Sequence, residues 1–408
     1  MTIYPEAVVE VALSDTLFTR SPTWTDVSAY VQQISIDRGR SRHFDDFEPG
    51  EATIVFDNSD GRFDPNNASG PYWSGGATQI LPMRQVRIRA RLSDAAVVDR
   101  FRGWSKPRDG WSFDYTMPED ATATVQCFDG LPLIARHKAD FDTTAGTVTS
   151  DYIEDILDDI GFVSTWYDTD ATILPCAART EDVNALQLIS QIVATEGGAF
   201  FCTKDMKFRF DRLLAVLSET RMNTAQATFG DSGSFILYEG PPRIGYMTDI
   251  ANIVRITPSS ETVQKKSDSG SRTNYGPARY EATTLHRYDN DAAGLAEWEL
   301  QRRKEPFDHI DELSLLLNVE SVADQTIIFG LELRDRVRAL FDPPGSGTAR
   351  DENLHVRSIS DRVTADDWQV TLGFSPAAIY DGFGAYSGYL ELNHASNGLL
   401  DTAKLAYG

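Results

Sequence analysis

The chain has 408 residues, with 38 Lys and Arg against 61 Asp and Glu, which gives a formal net charge of −23 at pH 7. This length predicts two to four folding units, and a hydrophobic content of 41% is enough for packed cores and excludes wholesale disorder. The acidity argues against a surface that binds nucleic acid or an anionic membrane.

Cysteine usage and the absence of targeting signals point to a protein made in a reducing compartment. The three cysteines, Cys127, Cys176 and Cys202, are odd in number and show no C-x-x-C spacing, so neither a disulfide framework nor a zinc knuckle is indicated. We expect buried free thiols. We also expect no signal peptide and no transmembrane helix, because no charged and then apolar leader and no run of about eighteen apolar residues occurs.

Residues 1–140 are predicted to form mainly strands. Ile34 and Ile36 alternate with polar neighbours after Trp24, and a second strand covers 52–56. Evenly spaced short strands with Gly and Pro between them favour a barrel or a sandwich. Other alternating segments are 8–13, 86–92 and 123–127.

The second strand runs into a loop, 57–61, whose residues all favour turns. Its oxygen-bearing side chains superficially suggest a calcium loop. That spacing fails, because Arg62 stands at the sixth position, where glycine is needed, and Ala68 at the twelfth, where a carboxylate is needed. The loop is therefore predicted to be a structural turn.

A basic strand is predicted at 84–91. Apolar residues take one face, and the opposite face carries Arg87, Arg89 and Arg91. In an acidic protein such a stripe is typical of a subunit contact that pairs with acidic neighbours. We predict these three arginines as candidate subunit-contact residues, and nucleic-acid binding is the alternative.

Residues 141–245 combine helices with a hairpin. Helices are predicted from Ser150 or Asp151 to Ile160 and over 182–195, each followed by glycine. Two short apolar strands, 199–202 and 207–210, are then predicted to pair across a turn.

Residues 246–376 return to strands, and one helix, from Asp289 or Asn290 to about Glu305, ends before Pro306. The polar stretch 267–276 is predicted to be a mobile loop, and the Gly-rich segment 377–408 is expected to dock on its own chain or on a neighbour. The predicted strands are 252–256, 313–319, 327–333, 355–359 and 368–374.

Nothing in the sequence selects a chemical site. The six histidines show no metal-ligand spacing, and no Walker, dinucleotide or nucleophile-elbow motif occurs. We predict no catalytic, cofactor-binding or metal-binding residues and no cofactor. The aromatic residues are expected to fill cores and subunit contacts, with a carbohydrate platform as the alternative. Adjacent carboxylates do not flank a sugar bond and are expected to be solvated: Asp45-Asp46, Asp158-Asp159 and Asp366-Asp367.

Two regions carry a family resemblance. Trp24, the strand pair, the turn loop and Pro71-Tyr72 resemble the N-terminal region of tail-tip proteins of long-tailed bacteriophages. The order of helix, glycine and hairpin over 182–210 and the motif D-D-W-x-V-T-L-x-F-S-P at 366–376 resemble the later domains of phage tail hubs. The chain thus looks like a siphophage minor tail protein of the baseplate-hub family.

The resemblance implies a mainly β fold with α+β insertions: two β-barrel-like domains and a helix-containing α/β domain. The expected units are a first barrel-like domain, a mixed domain, a second barrel-like domain with one helix and a docking segment: 1–140, 141–245, 246–376 and 377–408. It implies a structural, non-enzymatic protein that connects the tail tube to the tip or baseplate and lines the DNA exit channel.

The implied assembly is a homotrimer whose two barrels per subunit present six-fold pseudo-symmetry to the tail tube. The implied partners are the distal tail protein, the tape-measure protein and other minor tail proteins, with DNA only in transit and no membrane insertion. The expected location is the virion tail tip, after synthesis in the host cytoplasm. The alternatives are a hexameric distal tail adaptor and a tail-associated carbohydrate-binding or hydrolytic protein, and the lack of a long C-terminal extension argues against the latter.

Overall fold

The structure is a computed structural model that describes residues 4–139, 144–178, 183–231, 235–247, 249–345 and 348–381. From residue 382 onward, the expected docking segment lies outside the described residues.

The first part of the chain is built of strands, and residues of β3 and β4 alternate between core and surface as predicted. The side chains of Ile34, Ile36, Ile54 and Phe56 are fully buried. The strands are β1 Glu6–Ala12, β2 Thr25–Asp26, β3 Val31–Gly39, β4 Glu48–Asp57, β5 Trp73–Ser74, β6 Ala77–Thr78, β7 Gln85–Arg91, β8 Val97–Ser105, β9 Trp111–Asp114 and β10 Thr122–Phe128.

The middle part contains the predicted helices and hairpin. Its second helix ends at Gly161 and its third at Gly197, and both glycines have positive φ, as the left-handed end of a helix requires. The elements are α1 Leu131–Ile134, β11 Lys138–Ala139, α2 Thr149–Ile160, β12 Tyr167–Thr169, β13 Val183–Asn184, α3 Ala185–Glu196, β14 Ala199–Cys202, β15 Phe208–Asp211, α4 Ala215–Ser218 and α5 Thr220–Asn223.

The last part alternates long strands with helices. Its elements are β16 Ala227–Phe229, β17 Glu239–Met247, β18 Ile253–Thr257, β19 Gln264–Ser267, α6 Ser269–Tyr275, β20 Arg279–Thr283, α7 Asp289–Arg303, β21 Phe307–Leu316, α8 Val322–Gly330, β22 Arg336–Phe341, β23 Arg350–Val363, β24 Trp368–Pro376 and α9 Ala378–Asp381.

Two predictions of local structure were wrong. The strand expected at 327–333 is mostly the end of α8, because Ser321 caps the helix by accepting a hydrogen bond from the Asp324 amide. The loop expected at 267–276 contains α6, which Asp268 caps by accepting from the Ser271 amide. In both places a side-chain cap stabilises a helix in a segment whose composition predicts a different structure.

The long strands form one sheet of fourteen strands. Its main path runs β17-β21-β24-β23-β3-β4-β10-β8-β7-β1-β2, with β16 attached through β22 and β9 attached to β10. Smaller sheets join β12, β14 and β15, and β18, β19 and β20. The predicted mainly β fold with α+β insertions is confirmed. No closed barrel with a continuous ladder forms among the described strands.

The sheet contains the same six-strand pattern twice. In the first unit the neighbours run β1-β7-β8-β10-β4-β3, and in the second they run β16-β22-β23-β24-β21-β17. When the strands of each unit are numbered along the chain, both units have the spatial order 1-4-5-6-3-2. The first strand of one unit therefore corresponds to the first strand of the other, and so on through all six. The units differ at their first strands: β1 pairs with β7 in antiparallel fashion, whereas β16 and β22 are parallel.

Each unit curls so that its ends approach. The Val27 amide donates to the Val9 carbonyl and β2 pairs with β1 just before the chain enters β3. In the second unit a bridge between Phe229 and Ile236 brings the chain back to β16 just before β17. In each unit the outer edge of the first strand is thus bonded to the segment that leads into the second strand, by a few hydrogen bonds only.

The two units are joined by an antiparallel ladder between β3 and β23, from Gly39 opposite Ser358 to Ile34 opposite Val363. Gly39 is required here, because its φ is +121° and a Cβ would lie 2.4 Å from the Arg357 carbonyl oxygen. One hydrophobic core runs across this join and includes Ile34 and Phe56 of the first unit and Leu315 and Phe374 of the second.

A buried ion pair crosses the same join. Arg100 of β8 donates to both carboxylate oxygens of Asp361 on β23, the shorter contact being 2.9 Å, and the Trp368 Nε1 donates to Asp361 at 2.8 Å. Asp361 is 1% exposed and Arg100 is 2% exposed. Buried charges persist only with such complete pairing, so this contact fixes how the units fit together.

The middle part is attached at the end of α8. Lys204, in the β14–β15 turn, donates through Nζ to the Phe329 and Gly330 carbonyls at 2.7 and 2.6 Å. Its backbone amide donates to Glu332, whose other oxygen accepts from Arg38 of β3 at 2.5 Å. Burial lowers the pKa of Lys204 to about 8. Three parts of the chain thus meet at one charged junction.

Two further cores support this arrangement. One packs α2 and α3 against the hairpin and Trp104, and the other packs α7 against β18. All three cysteines are buried and free, as predicted. Among the described residues, no helix combines the length and apolar character that crossing a membrane would require.

We expect the substitution Asp361→Ala to reduce the free energy of unfolding by about 3–5 kcal/mol, because it leaves the Arg100 guanidinium buried without its partner. Urea unfolding followed by circular dichroism measures this. The matched control is Asp351→Ala, which removes the exposed Arg338–Asp351 pair and should cause a loss too small to resolve. Equal losses in the two variants would show that the buried pair is not structurally important.

Candidate functional site

The predicted arginine stripe lies on the outer face of β7, beside β1. Glu10 accepts from Arg87 at 2.8 Å and from Arg89 at 2.7 Å, and Glu6 lies 3.4 Å from Arg91. The acidic neighbours that the stripe needs are therefore present in its own chain. Subunit contact by Arg87, Arg89 and Arg91 stays a prediction, and Arg91 is the most exposed of the three.

Trp24 packs against the guanidinium group of Arg87 in this stripe and is not an isolated surface residue. The guanidinium groups of Arg87 and Arg102 lie 4.4 and 5.3 Å from its ring centroid. Arg102 also lies 5.2 Å from the ring of Trp166. Burial and the neighbouring Arg20 and Arg87 lower the pKa of Arg102 to about 10. The Arg87 end of the stripe therefore lies where the first part of the chain packs against Trp166 of the middle part.

Strands β9 and β17 each offer a free edge. Within the described residues, β9 pairs with β10 alone and β17 pairs with β21 alone. Parallel aromatic rings follow the β9 segment at spacings of 6.5 Å (Trp111 to Phe113) and 6.3 Å (Phe113 to Tyr115). On β17 the side chains of Ile244 and Tyr246 are 38% and 69% exposed. Unpaired edges with exposed apolar groups mark surfaces that bind other strands.

Where three parts of the chain meet, a cleft holds about 100 Å³ of open space. Its walls come from loop 40–47, from α3 and from the last turn of α7. Its apolar lining includes Phe44, Leu186, Ile189, Val193 and Leu213. Its charged lining is Arg40, Asp45, Asp46, Glu299, Arg302, Arg303 and Arg334.

The charged side of the cleft is internally paired. Burial acts to raise the pKa of Glu299, but the guanidinium groups of Arg302 and Arg303 outweigh it and lower that pKa. The same two groups lie 4.8 and 4.0 Å from the Phe44 ring centroid. The buried carboxylate of the cleft wall is therefore paired within α7, and the cleft combines apolar side chains with a charged side.

Sequence reasoning missed a histidine cluster. His43, His309 and Asp311 have ligand atoms within 4.8 Å of one another, and the two imidazole rings are 4.9 Å apart. The pair is invisible in the sequence because the histidines belong to different units.

The charges around this cluster oppose a metal ion. Asp311 accepts from Arg357 at 2.9 Å and from Arg243 at 2.5 Å, so two cations already neutralise it. Arg357, which can only donate, also lies 3.4 Å from the His43 Nδ1, so that nitrogen is the acceptor and the ring is neutral. The cluster can fix loop 40–47 against β21, β23 and β24, and it is poorly suited to bind a divalent cation.

The remaining candidate motifs are structural. The Ser59 and Arg62 amides donate to Asp57 and Asp60, so loop 57–61 folds into side-chain turns as predicted. The predicted solvation of the acidic pairs is confirmed, since all six carboxylates are exposed: Asp45, Asp46, Asp158, Asp159, Asp366 and Asp367. No nucleophile with a base and an orienting partner stands out among the described residues.

Comparison with known proteins identifies the fold. No family model and no curated protein matches the chain. The tail protein from Neisseria meningitidis MC58 matches with a TM-score of 0.59 and 11% identity, over 92% of this chain and 98% of that one. The 43 kDa tail protein of prophage MuSo2 from Shewanella oneidensis matches with a TM-score of 0.53 and 10% identity, over the same shares of the two chains. The predicted resemblance to phage tail proteins is thus confirmed in the fold.

Acid should weaken the fold through His43. Burial and the Arg357 cation lower its pKa from 6.5 to about 3, so the unfolded chain takes up the proton first. The stability that His43 contributes above pH 6.5 is therefore lost as pH falls toward 3, with a slope of up to about 1.4 kcal/mol per pH unit. We expect His43→Gln to lower this acid sensitivity.

The measurement is urea unfolding of both proteins between pH 7 and pH 4, compared as a difference at each pH. Other buried histidines are common to both proteins and cancel. The control is His137→Gln, which replaces an exposed imidazole. A difference that does not change with pH would show that His43 is not held neutral.

Proposed function

We propose that this chain is a structural hub at the tip of a phage tail, where it connects the tail tube to the tip or baseplate and surrounds the DNA exit channel. The observation that carries the proposal is the duplicated six-strand unit. A chain with two equivalent units occupies two equivalent positions in a ring, whereas a hexameric adaptor needs one unit per chain. The duplication therefore favours the hub over the distal tail adaptor.

The contact inside the chain gives a template for the contact between chains. The first unit uses β3 to pair with the second half of β23. By the order of strands, β17 of the second unit corresponds to β3, and both β17 and β9 have a free edge.

The strand that corresponds to β23 is β8 followed by β9. As the first half of β23 pairs with β22, so β8 pairs with β7; as the second half pairs with β24, so β9 pairs with β10. We therefore propose that β17 of one copy pairs with β9 of the next. Such a head-to-tail contact closes into a ring when its rotation allows.

The prolines of β17 limit where this pairing can occur. Pro241 and Pro242 have no amide hydrogen to donate, so the proposed ladder begins at Arg243. In the register of the internal contact, Asp37 lies opposite Ser360. We align Ser112 of β9 with Ser360, because Ser112 faces Thr124 and through it Val55 of β4, as Ser360 faces Thr371 and through it Ser314 of β21. Glu51 and Ile310 lie four residues before Val55 and Ser314. They face Asp37 and Ile244, so Ile244 on β17 is the equivalent of Asp37.

Three chains would supply the six positions that the resemblance to phage hubs implies for the tail tube. The proposed partners are the distal tail protein, the tape-measure protein and other minor tail proteins, and the location is the tail tip. A trimer would carry about 3 × −23 = −69 charges. We propose that the channel lining is net acidic, so that DNA passes without binding. The three stripe arginines would then face outward or meet a neighbouring subunit.

The proposed ring contact predicts a specific cross-link. In Ile244→Cys/Ser112→Cys, a disulfide should form between chains under mild oxidation, because residues opposite each other on antiparallel strands lie within disulfide reach. The buried native cysteines leave the new thiols to react alone. Each single variant, mixed with its complement, should give the same bond.

A matched control moves one cysteine to a paired position, Thr124→Cys with Ile244→Cys. Thr124 lies on β10 between β9 and β4, so it should form no bond between chains. Imaging of intact tails should count three copies per ring. Six copies, or equal cross-linking in the control, would contradict the hub assignment.

We propose that the chain is not an enzyme. Incubation with peptidoglycan or host glycan, followed by mass spectrometry of the released fragments, should show nothing above buffer. Turnover that disappears on changing one carboxylate would instead support the hydrolase alternative.

A further inference from the structure

The described chain ends beside the cleft. Helix α9 stops at Asp381, and its Ile379 is 3% exposed in the core that α7 forms. Leu213, a member of that core, lines the cleft, and Phe44 and Tyr280 both pack against that core and line the cleft. The Ser375 hydroxyl also lies 3.0 Å from Nδ1 of His43, in the loop 40–47 that forms one wall of the cleft, so the described chain ends near that wall.

The sequence beyond this point has apolar residues that can cover the apolar part of the cleft lining. It comprises 408 − 381 = 27 residues. Within it, 386–392 reads Y-S-G-Y-L-E-L, with four large apolar or aromatic residues among seven. The eleven residues 382–392 can extend over about 36 Å at most, enough to cross a recess that begins next to α9.

We propose that residues 386–392 bind in the cleft of their own chain, between α3, loop 40–47 and the last turn of α7. Tyr386, Tyr389, Leu390 and Leu392 would cover the exposed parts of Leu186, Phe44 and Tyr280. Burial of such side chains supplies the driving force, and the short connection makes the binding intramolecular. Glu391 complements a lining in which four arginines meet three carboxylates.

A cysteine pair tests this placement in the full chain. Ser190 lies on the α3 wall of the cleft, and Ser387 lies in the proposed segment between the apolar residues. In Ser190→Cys/Ser387→Cys, mild oxidation at a concentration where the chain is monomeric should give an intramolecular disulfide. It is detected as a mass loss of two protons and a faster band on a non-reducing gel.

The matched control keeps Ser387→Cys and moves the other cysteine to Ser164, an exposed residue of the same part of the chain that does not line the cleft. Adding Leu390→Asp and Leu392→Asp to the test pair should slow cross-linking at least about tenfold, since two apolar anchors are lost. These changes alter no residue of the described fold.

A second measurement does not depend on new cysteines. Amide hydrogen exchange in α3 around Ile189 and Val193 should be at least about tenfold faster in a chain that ends at Asp381 than in the full chain. Disulfides between chains would show that the cleft receives a neighbour's segment and would overturn the proposal. Cross-linking no faster than in the control, with unchanged exchange, would also overturn it. Neither result depends on the proposed tail function, which the ring cross-link tests separately.

Discussion

The pairing of Arg100 with Asp361 is the contact on which the architecture depends. Each charge comes from a different six-strand unit, and each is almost fully buried. An arrangement that buried either charge without its partner would cost several kcal/mol. The ladder between β3 and β23 and the close approach at Gly39 then follow from the same register. The pair therefore selects one arrangement of the units more than it adds stability.

The local pattern of the sequence predicts much of this fold. Alternation identified β3, β4 and β7, and the spacing of Ile153, Ile156 and Leu157 identified α2, because both signals come from neighbouring residues that share a face. The signal failed at α8, where Ile327, Ile328 and Phe329 have the composition of a strand but follow a capping serine. Caps act through one hydrogen bond and leave little trace in composition.

The relation between distant segments could not be predicted. The pairing of β3 with β23 brings His43 to His309 and Arg38 to Glu332. No local pattern in the sequence specifies that pairing between distant strands. The same limit applies to the duplication, since the two units keep the order of their strands but not their residues. The fold shared with two tail proteins at 10–11% identity illustrates the same point: topology persists where side chains have changed.

The two prolines near the start of β17 also affect how the isolated chain aggregates. A long free edge with exposed Ile244 and Tyr246 is a hazard during synthesis, because any extended segment of another molecule could add to it. Pro241 and Pro242 have no amide hydrogen to donate, and the pairing of β17 with β21 is irregular between Glu239 and Arg243, so the regular part of the edge is only a few residues long. Random aggregation through this edge is therefore weak, while a partner that presents a matching short strand loses little. An accidental partner therefore finds only a short stretch of regular strand to pair with.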